Sequence, residues 1–176
     1  DSKAISRIAV PVDFARNVMG LTGANSTEMD TNSPHPIIDL MHDQRDVADK
    51  GGTQRLGAYY AILEPGSRVH QAYGEPVVSE RHRHRYELNA TWKPRLEAAG
   101  LMCTGMSPDR RLVEFIELAD HPFWVATQAH PEFKSRPDRA HPLFRELTAA
   151  ALARRAARQP MLRVVDDDAA ASSSVA

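Results

Sequence analysis

Residues 77–89, with the sequence VVSERHRHRYELN, alternate between two kinds of side chain, and this pattern constrains the fold more than any other in the chain. A β-branched start followed by a period of two predicts one β-strand, in which side chains two residues apart share a face. The predicted strand places Arg81, Arg83, Arg85 and Glu87 on one face and His82, His84, Tyr86 and Leu88 on the other. So much positive charge on one face requires a partner nearby.

Two interpretations of this arginine face stand side by side. Planar guanidinium groups bind carboxylates or phosphates in pairs, so the face would be an oxyanion-binding surface. Alternatively, acids from neighbouring segments neutralise the arginines within the fold, which is the commoner arrangement for an isolated basic cluster. His82 and His84 share the opposite face in metal-ligand geometry. No Cys or acid accompanies them at a recognisable ligand spacing, so we predict no metal site.

The charge of the whole chain is nearly balanced, because 22 Lys and Arg stand against 23 Asp and Glu. A general nucleic-acid binder is usually basic overall, so we expect no nucleic-acid partner. No apolar run approaches the ~20 residues that a membrane-spanning helix needs, so we expect no membrane partner.

A single cysteine allows no internal disulfide and favours a reducing, cytoplasmic compartment. Cys103 lies in an apolar, strand-like segment and is predicted to be a small buried hydrophobe.

Short strand patterns alternate with helix and turn patterns, which predicts an α/β fold. Strands are predicted at 35–41, 55–64 and 123–128, a hairpin at 101–118, and helices at 67–74, 90–100 and 141–158. The length of 176 residues is enough for one domain with a hydrophobic core. From residue 159 to residue 176 the composition is small, polar and acidic, which predicts a disordered tail.

The segment FWVATQAHPEFKSRP, residues 123–137, is the second informative one, because a strand runs directly into His130, Pro131 and Glu132. A histidine at the end of a strand is both accessible and firmly held. A carboxylate two residues away can orient the imidazole and stabilise its charged form, as in a Cys-His-acid relay. On spacing alone, the segment is equally an ordinary turn in which proline stops the strand.

Six motifs resemble the C-terminal class I glutamine amidotransferase domain of CTP synthases and occur in the same order. They are ANSTE (24–28), GGTQRLG (51–57), ERHRHRYELN (80–89), GMSPDRRLVEFIEL (105–118), ATQAHPEFKSRP (126–137) and HPLF (141–144). The strings RHRHRYE and HPEF are the most specific of them. The resemblance runs from about Asp13 to about Leu152.

The resemblance implies that residues 13–158 form an incomplete class I glutamine amidotransferase domain, which is flavodoxin-like with a central mixed sheet and flanking helices. Such a domain hydrolyses glutamine and passes ammonia to a synthase domain, which aminates UTP to CTP with ATP and Mg²⁺. The intact enzyme is a homotetramer, and this part of it would hold no cofactor. By the same resemblance, His130 and Glu132 are catalytic, Arg85 binds the carboxylate of glutamine, and Glu28 binds its ammonium group.

The first residues depart from the family pattern G-[IL]-C-L-G-x-Q, which carries the nucleophile on a tight strand-to-helix turn. Here Ala4 stands at the nucleophile position, and Ser2 and Ser6 stand at the glycines. Pro11 falls inside the family's helix, where proline costs about 3 kcal/mol. We therefore expect residues 1–12 to be divergent and the chain to be a catalytically inactive fragment without the upstream oxyanion loop. The alternative is a degenerate, non-catalytic module that binds or regulates.

Overall fold

The computed structural model describes residues 2–40 and 55–158, with side chains from residue 10 onward. The helices are α1 (Ser2–Asn17), α2 (Arg68–Tyr73), α3 (Lys93–Ala98) and α4 (Pro142–Arg158). The strands are β1 (Ala24–Ser26), β2 (His35–Leu40), β3 (Arg55–Leu63), β4 (Val77–His84), β5 (Tyr86–Leu88), β6 (Leu101–Met106), β7 (Val113–Leu118) and β8 (Val125–Thr127). Short 3-10 turns cover Ala90–Trp92 and Pro131–Phe133.

The strands form two sheets flanked by the helices. Three strands pair in the order β1-β2-β5, with β1 parallel and β5 antiparallel to β2. The other five strands pair antiparallel in the order β4-β3-β6-β7-β8. The predicted α/β fold with a mixed sheet and flanking helices is confirmed.

The five-stranded sheet curls, so that the segment after one edge strand reaches the other edge. Strands β4 and β8 lie at opposite ends of the strand order. Nevertheless, the backbone N–H of His130, three residues beyond β8, donates to the carbonyl oxygen of Arg81 in β4 over 2.8 Å. Farther along, Lys134 Nζ lies 3.2 Å from Glu80 Oε1. The chain after β8 therefore runs beside the outer edge of β4.

The prediction of a single strand over 77–89 is wrong. Strand β4 ends at His84, where it still pairs with Arg55 of β3, and β5 begins at Tyr86, where it pairs with Leu40 of β2. The chain thus leaves one sheet and enters the other with only Arg85 between the two strands. Strand β4 pairs with β3 and strand β5 pairs with β2. The alternation of faces therefore does not continue through the bend between them.

The bend corrects the predicted face of Glu87. Arg81 and Arg83 are exposed as the pattern predicts, and His82 is buried. Glu87, which was expected beside the arginines, is instead buried and lies 3.2 Å from Arg55. An internal partner on another strand therefore decides the orientation of this side chain.

Most of the other predicted elements are confirmed with small changes of length. Helix α2 begins at the Ser67 cap, whose side chain accepts from the N–H of His70, and ends at Gly74 with φ of 73°. The predicted hairpin over 101–118 corresponds to β6 and β7. Strand β8 is shorter than predicted and half-buried rather than buried, because it lies at the edge of its sheet. Position 41 and the predicted tail at 159–176 lie outside the described residues.

Two apolar cores hold these layers together. The first joins α1, the three-stranded sheet, α3, β6 and β7, and its buried members include Ala15, Ile37, Ile38, Leu88, Leu96 and Leu101. The second lies between the curled sheet, α2 and α4, and its members include Leu63, Val69, Val78, Phe115 and Leu143. Gly105 lets β6 approach this core, because a Cβ there would lie 2.4 Å from the ring of Phe115.

Within the described ranges, no helix combines the length and the apolar character needed to cross a membrane.

Candidate active site

His130 and Glu132 are in direct side-chain contact shortly after β8. Nδ1 of His130 lies 2.7 Å from Oε1 of Glu132, and the two side chains are 12% and 50% exposed. The imidazole also stacks on the ring of Phe133, with centroids 4.9 Å apart and an interplanar angle of 11°. Carboxylate, ring and backbone together hold the imidazole in one orientation. In a relay of this kind, Nε2 is the nitrogen that exchanges the proton.

The three-stranded sheet brings Glu28 and Arg85 to one edge. Strands β1 and β2 run parallel and end there, while β5 runs the other way and begins there. Glu28 follows β1 by two residues, and Arg85 immediately precedes β5. Burial raises the pKa of the Tyr86 phenol, the negative charge of Glu28 raises it further, and the charge of Arg85 lowers it. Both charged groups therefore act on the same phenol.

Two side chains that the sequence analysis did not assign hold Glu28 in place. The Ser26 hydroxyl accepts from the backbone N–H of Glu28 over 3.2 Å. Thr27 donates its backbone N–H to the carbonyl of Ile38 over 3.0 Å and its hydroxyl to Asp39 Oδ1 over 2.8 Å. These bonds attach the turn after β1 to β2. The motif ANSTE therefore builds the turn that presents an exposed acid.

His130 contacts β4, the strand that leads to Arg85. The backbone N–H of His130 is bonded to Arg81, and the charge of His130 contributes to lowering the pKa of His82. Arg85 follows four residues after Arg81, a span of roughly 13 Å at strand geometry. His130 thus lies beside the strand that leads to Arg85.

Comparison with known proteins decides the family. Residues 14–150 match the family described as Glutamine amidotransferase class-I. The chain belongs to this family. The match covers more than half of the chain and includes every site residue described above.

Two proteins that are similar in sequence to this chain are CTP synthases. The chain is 59% identical over 143 residues to the CTP synthase of Moorella thermoacetica. These residues make up 81% of this chain and 27% of that protein. It is 57% identical over 141 residues to the CTP synthase of Caldanaerobacter subterraneus subsp. tengcongensis, covering 80% and 26%. The chain thus spans about a quarter of the length of the curated relatives it matches.

A solved structure shows the same amidotransferase architecture. The glutaminase domain of Trypanosoma brucei CTPS with bound acivicin superposes with a TM-score of 0.76 at 34% identity. The match covers 83% of this chain and 57% of that chain. The fold described above is therefore that of an amidotransferase domain, over little more than half of the solved domain's length.

The residue predicted at the nucleophile position is helical in this chain. Ala4 lies inside α1, which runs from Ser2 to Asn17 and includes Pro11. Cys103, the chain's one cysteine, is 8% exposed in β6. Burial, together with the nearby charge of Glu97, raises the pKa of its thiol to about 12. A thiol with so high a pKa is protonated near pH 7 and is a poor nucleophile. The prediction that Cys103 is a small buried hydrophobe is confirmed.

A cavity of about 150 Å³ lies between α1, the end of β5, β7 and β8. Its walls are mostly apolar, and they include the side chain of Gln128, whose Oε1 is buried without a hydrogen-bond partner in the described part of the chain. None of Glu28, Arg85, His130 and Glu132 lines it. The four predicted site residues therefore do not converge around this cavity.

A buried ionic network that joins β3, β5 and β7 was missed by the sequence analysis. Arg55 is 5% exposed, and its guanidinium contacts Glu114 over 2.6 Å and Glu87 over 3.2 Å. One guanidinium cannot neutralise two carboxylates, and burial raises the pKa of Glu87 to about 8. The signal was available, because Glu114 interrupts the apolar strand VEFIEL and an acid in such a position requires a buried partner.

The two histidines of RHRHRYE extend this network. His82 Nδ1 and His84 Nε2 lie 2.8 Å apart, and His82 Nε2 lies 3.6 Å from Glu114. Burial, with the charges of Arg55 and His84, lowers the pKa of His82 to about 3, so this ring is neutral near pH 7. Among the described residues, no group of three or more His, Cys, Asp and Glu is placed to hold a metal ion.

Proposed function

We propose that this chain is part of a glutamine amidotransferase domain of a CTP synthase, in which it binds glutamine and carries the proton relay for glutamine hydrolysis. The observation that carries the proposal is the 2.7 Å contact between His130 and Glu132 at the end of β8, in a chain of this family. An imidazole held by a carboxylate at one nitrogen is suited to transfer a proton at the other.

Each residue has a distinct part in the proposed reaction. Arg85 binds the α-carboxylate of glutamine through its planar guanidinium, and Glu28 binds the α-ammonium group. In a complete relay, a cysteine thiolate attacks the side-chain amide carbon, and the imidazolium of His130 protonates the departing ammonia. Glu132 orients the ring and stabilises its charged form. Water then cleaves the thioester to give glutamate.

Partners and activity follow from the same proposal. Ammonia passes to a synthase domain that uses ATP and Mg²⁺ to convert UTP to CTP, and the assembly is a cytoplasmic homotetramer. We propose that this domain itself binds no cofactor. We also propose that the chain binds glutamine without hydrolysing it, because alanine at position 4 has no nucleophilic atom and Cys103 is buried.

A glutamine titration of the 176-residue chain, followed by NMR chemical shifts, tests the proposal. We expect saturable binding of L-glutamine, which Glu28→Gln and Arg85→Ala each weaken at least about tenfold, since each removes a charge-assisted contact. Matched control variants are Glu75→Gln and Arg139→Ala, which change exposed charges outside the site. Absence of saturable binding by the unmodified chain, or equal losses in the controls, would contradict the proposal.

The second candidate is a degenerate, non-catalytic module that binds or regulates, and the alanine at position 4 is as compatible with it as with the first candidate. The two candidates differ in the synthase assembly. A fragment of the enzyme has no separate role there, whereas a regulatory module changes the rate of CTP formation. Adding the chain to an active CTP synthase and measuring that rate with ammonia as the nitrogen source separates them.

A further inference from the structure

Arg85 is the residue between β4 and β5, and the residue before it spans the bend. Nδ1 of His84 lies 3.2 Å from the carbonyl oxygen of Tyr86 and 3.4 Å from Glu87 Oε1. Nε2 of the same ring lies 2.8 Å from Nδ1 of His82. One imidazole therefore contacts the strand before Arg85 and the strand after it.

The partners determine which ring atoms carry protons. A carbonyl oxygen only accepts, so Nδ1 of His84 donates to Tyr86. The direction of the bond between Nε2 of His84 and Nδ1 of His82 depends on the protonation of the two rings. The contacts of His84 with Tyr86 and Glu87 join residues on opposite sides of Arg85. The contact with His82 holds the His84 ring in place, and together these contacts stabilise the bend.

The residues at both ends of this connection are rigidly held. His82 is 4% exposed and packs edge-on against the ring of Tyr59, with centroids 5.6 Å apart. Glu87 is buried and contacts Arg55, whose guanidinium lies 4.4 Å from the centroid of Tyr59. His84 therefore connects two buried, tightly packed residues, one on each side of Arg85.

We propose that His84 is a positioning residue, which sets the bend at Arg85 and thereby aims the guanidinium at the carboxylate of the substrate. This inference rests on the proposed function for the role of Arg85. It also explains why RHRHRYE intersperses histidines with arginines: the rings of His82 and His84 form the support, and Arg85 stands at the bend that they hold.

Two variants of nearly equal shape test the hydrogen bond separately from the packing. His84→Asn retains a nitrogen donor close to the position of Nδ1, and His84→Leu keeps the branched shape without any donor. His70→Ala, at a half-buried histidine in α2, is the control. In the 176-residue chain, amide hydrogen exchange across residues 86–88 reports the bend without any ligand, and an NMR titration reports the affinity for L-glutamine.

We expect His84→Leu to accelerate exchange in β5 and to weaken glutamine binding, each about tenfold, while His84→Asn and His70→Ala stay within about threefold of the unmodified chain. The proposal is overturned if Leu and Asn behave alike, whether both are impaired or both are normal. If the unmodified chain does not bind glutamine, the proposed function fails, and the exchange rates of the two variants still decide the role of His84.

Discussion

Nη2 of Arg55 lies 2.6 Å from Oε1 of Glu114, in an ion pair whose side chains are 6% and 1% exposed. The pair joins the first residue of β3 to β7 across the interior of the curled sheet. Glu87 of β5 contacts the same guanidinium, so three strands depend on one cation. Strand β5, which follows Arg85 of the candidate site, is therefore attached to an internal charge.

Loss of the guanidinium should destabilise the fold strongly. Arg55→Met leaves two buried carboxyl groups without their cation, which lowers the free energy of unfolding by about 3–5 kcal/mol near pH 8. Urea denaturation measures this change. Arg139→Met is the control, because an exposed arginine should change the free energy by no more than about 0.5 kcal/mol. Equal effects of the two variants would contradict the buried network.

Glu87 should make the folded state less stable at alkaline pH. Burial raises the pKa of Glu87 to about 8, so between its ordinary pKa and pH 8 the folded state binds a proton that the unfolded state does not. The free energy of unfolding therefore falls with rising pH in this window, by up to about 1.4 kcal/mol per pH unit for one proton. Urea denaturation from pH 5 to pH 9 should show that slope, and Glu87→Gln should reduce it. An unchanged slope in the variant would contradict the prediction.

Glu80 should have the opposite effect in acid. Burial disfavours its charge, but His141 at 3.0 Å and Lys134 at 3.2 Å outweigh burial and lower the pKa of Glu80. Its stabilising effect is present above the ordinary carboxyl pKa and is lost as the pH falls through the lowered one. Glu80→Gln should therefore reduce the melting temperature at pH 7 and match the unmodified chain in acid. Glu75→Gln, an exposed control, should show no such pH dependence.

Gly105→Ala should cause overpacking in the second core. The added Cβ would lie 2.4 Å from a ring carbon of Phe115, and such a clash costs about 1–3 kcal/mol. Chemical denaturation measures the loss. Phe115→Leu in the same chain removes the clashing ring, so the double variant should lose less than the sum of the single changes. Additive losses would show that the two residues do not meet.

Cysteine at position 4 should not by itself create a glutaminase. Ala4→Cys places the thiol within helix α1 rather than on a tight strand-to-helix turn that exposes a nucleophile. Replacing residues 2–6 by GLCLG should give no activity either, because Pro11 would still stand within the helix that follows. Ammonia release from glutamine is the measurement. Release above that of the unmodified chain would refute this account of the N-terminal segment.

Much of the local structure was predictable, because its causes lie within a few residues. Ser67 and Gly74 determine both ends of α2, and the apolar runs on either side of SPDRR determine the hairpin of β6 and β7. The pair His130 and Glu132 was predictable for the same reason, since two residues of chain separate its members. Glu28 and Arg85 were named from motifs alone, and no local pattern indicates that one sheet edge brings them together.

The sequence by itself determined the elements whose caps, turns and periodicities are local, and through its motifs it determined the family. Only the tertiary structure decided that the basic segment breaks at Arg85 and that Glu87 turns inward. The physical reason is distance along the chain: Arg55 meets Glu87 across 32 residues and Glu114 across 59. A period of two describes one strand with one set of neighbours, and it cannot show where the chain exchanges one sheet for another.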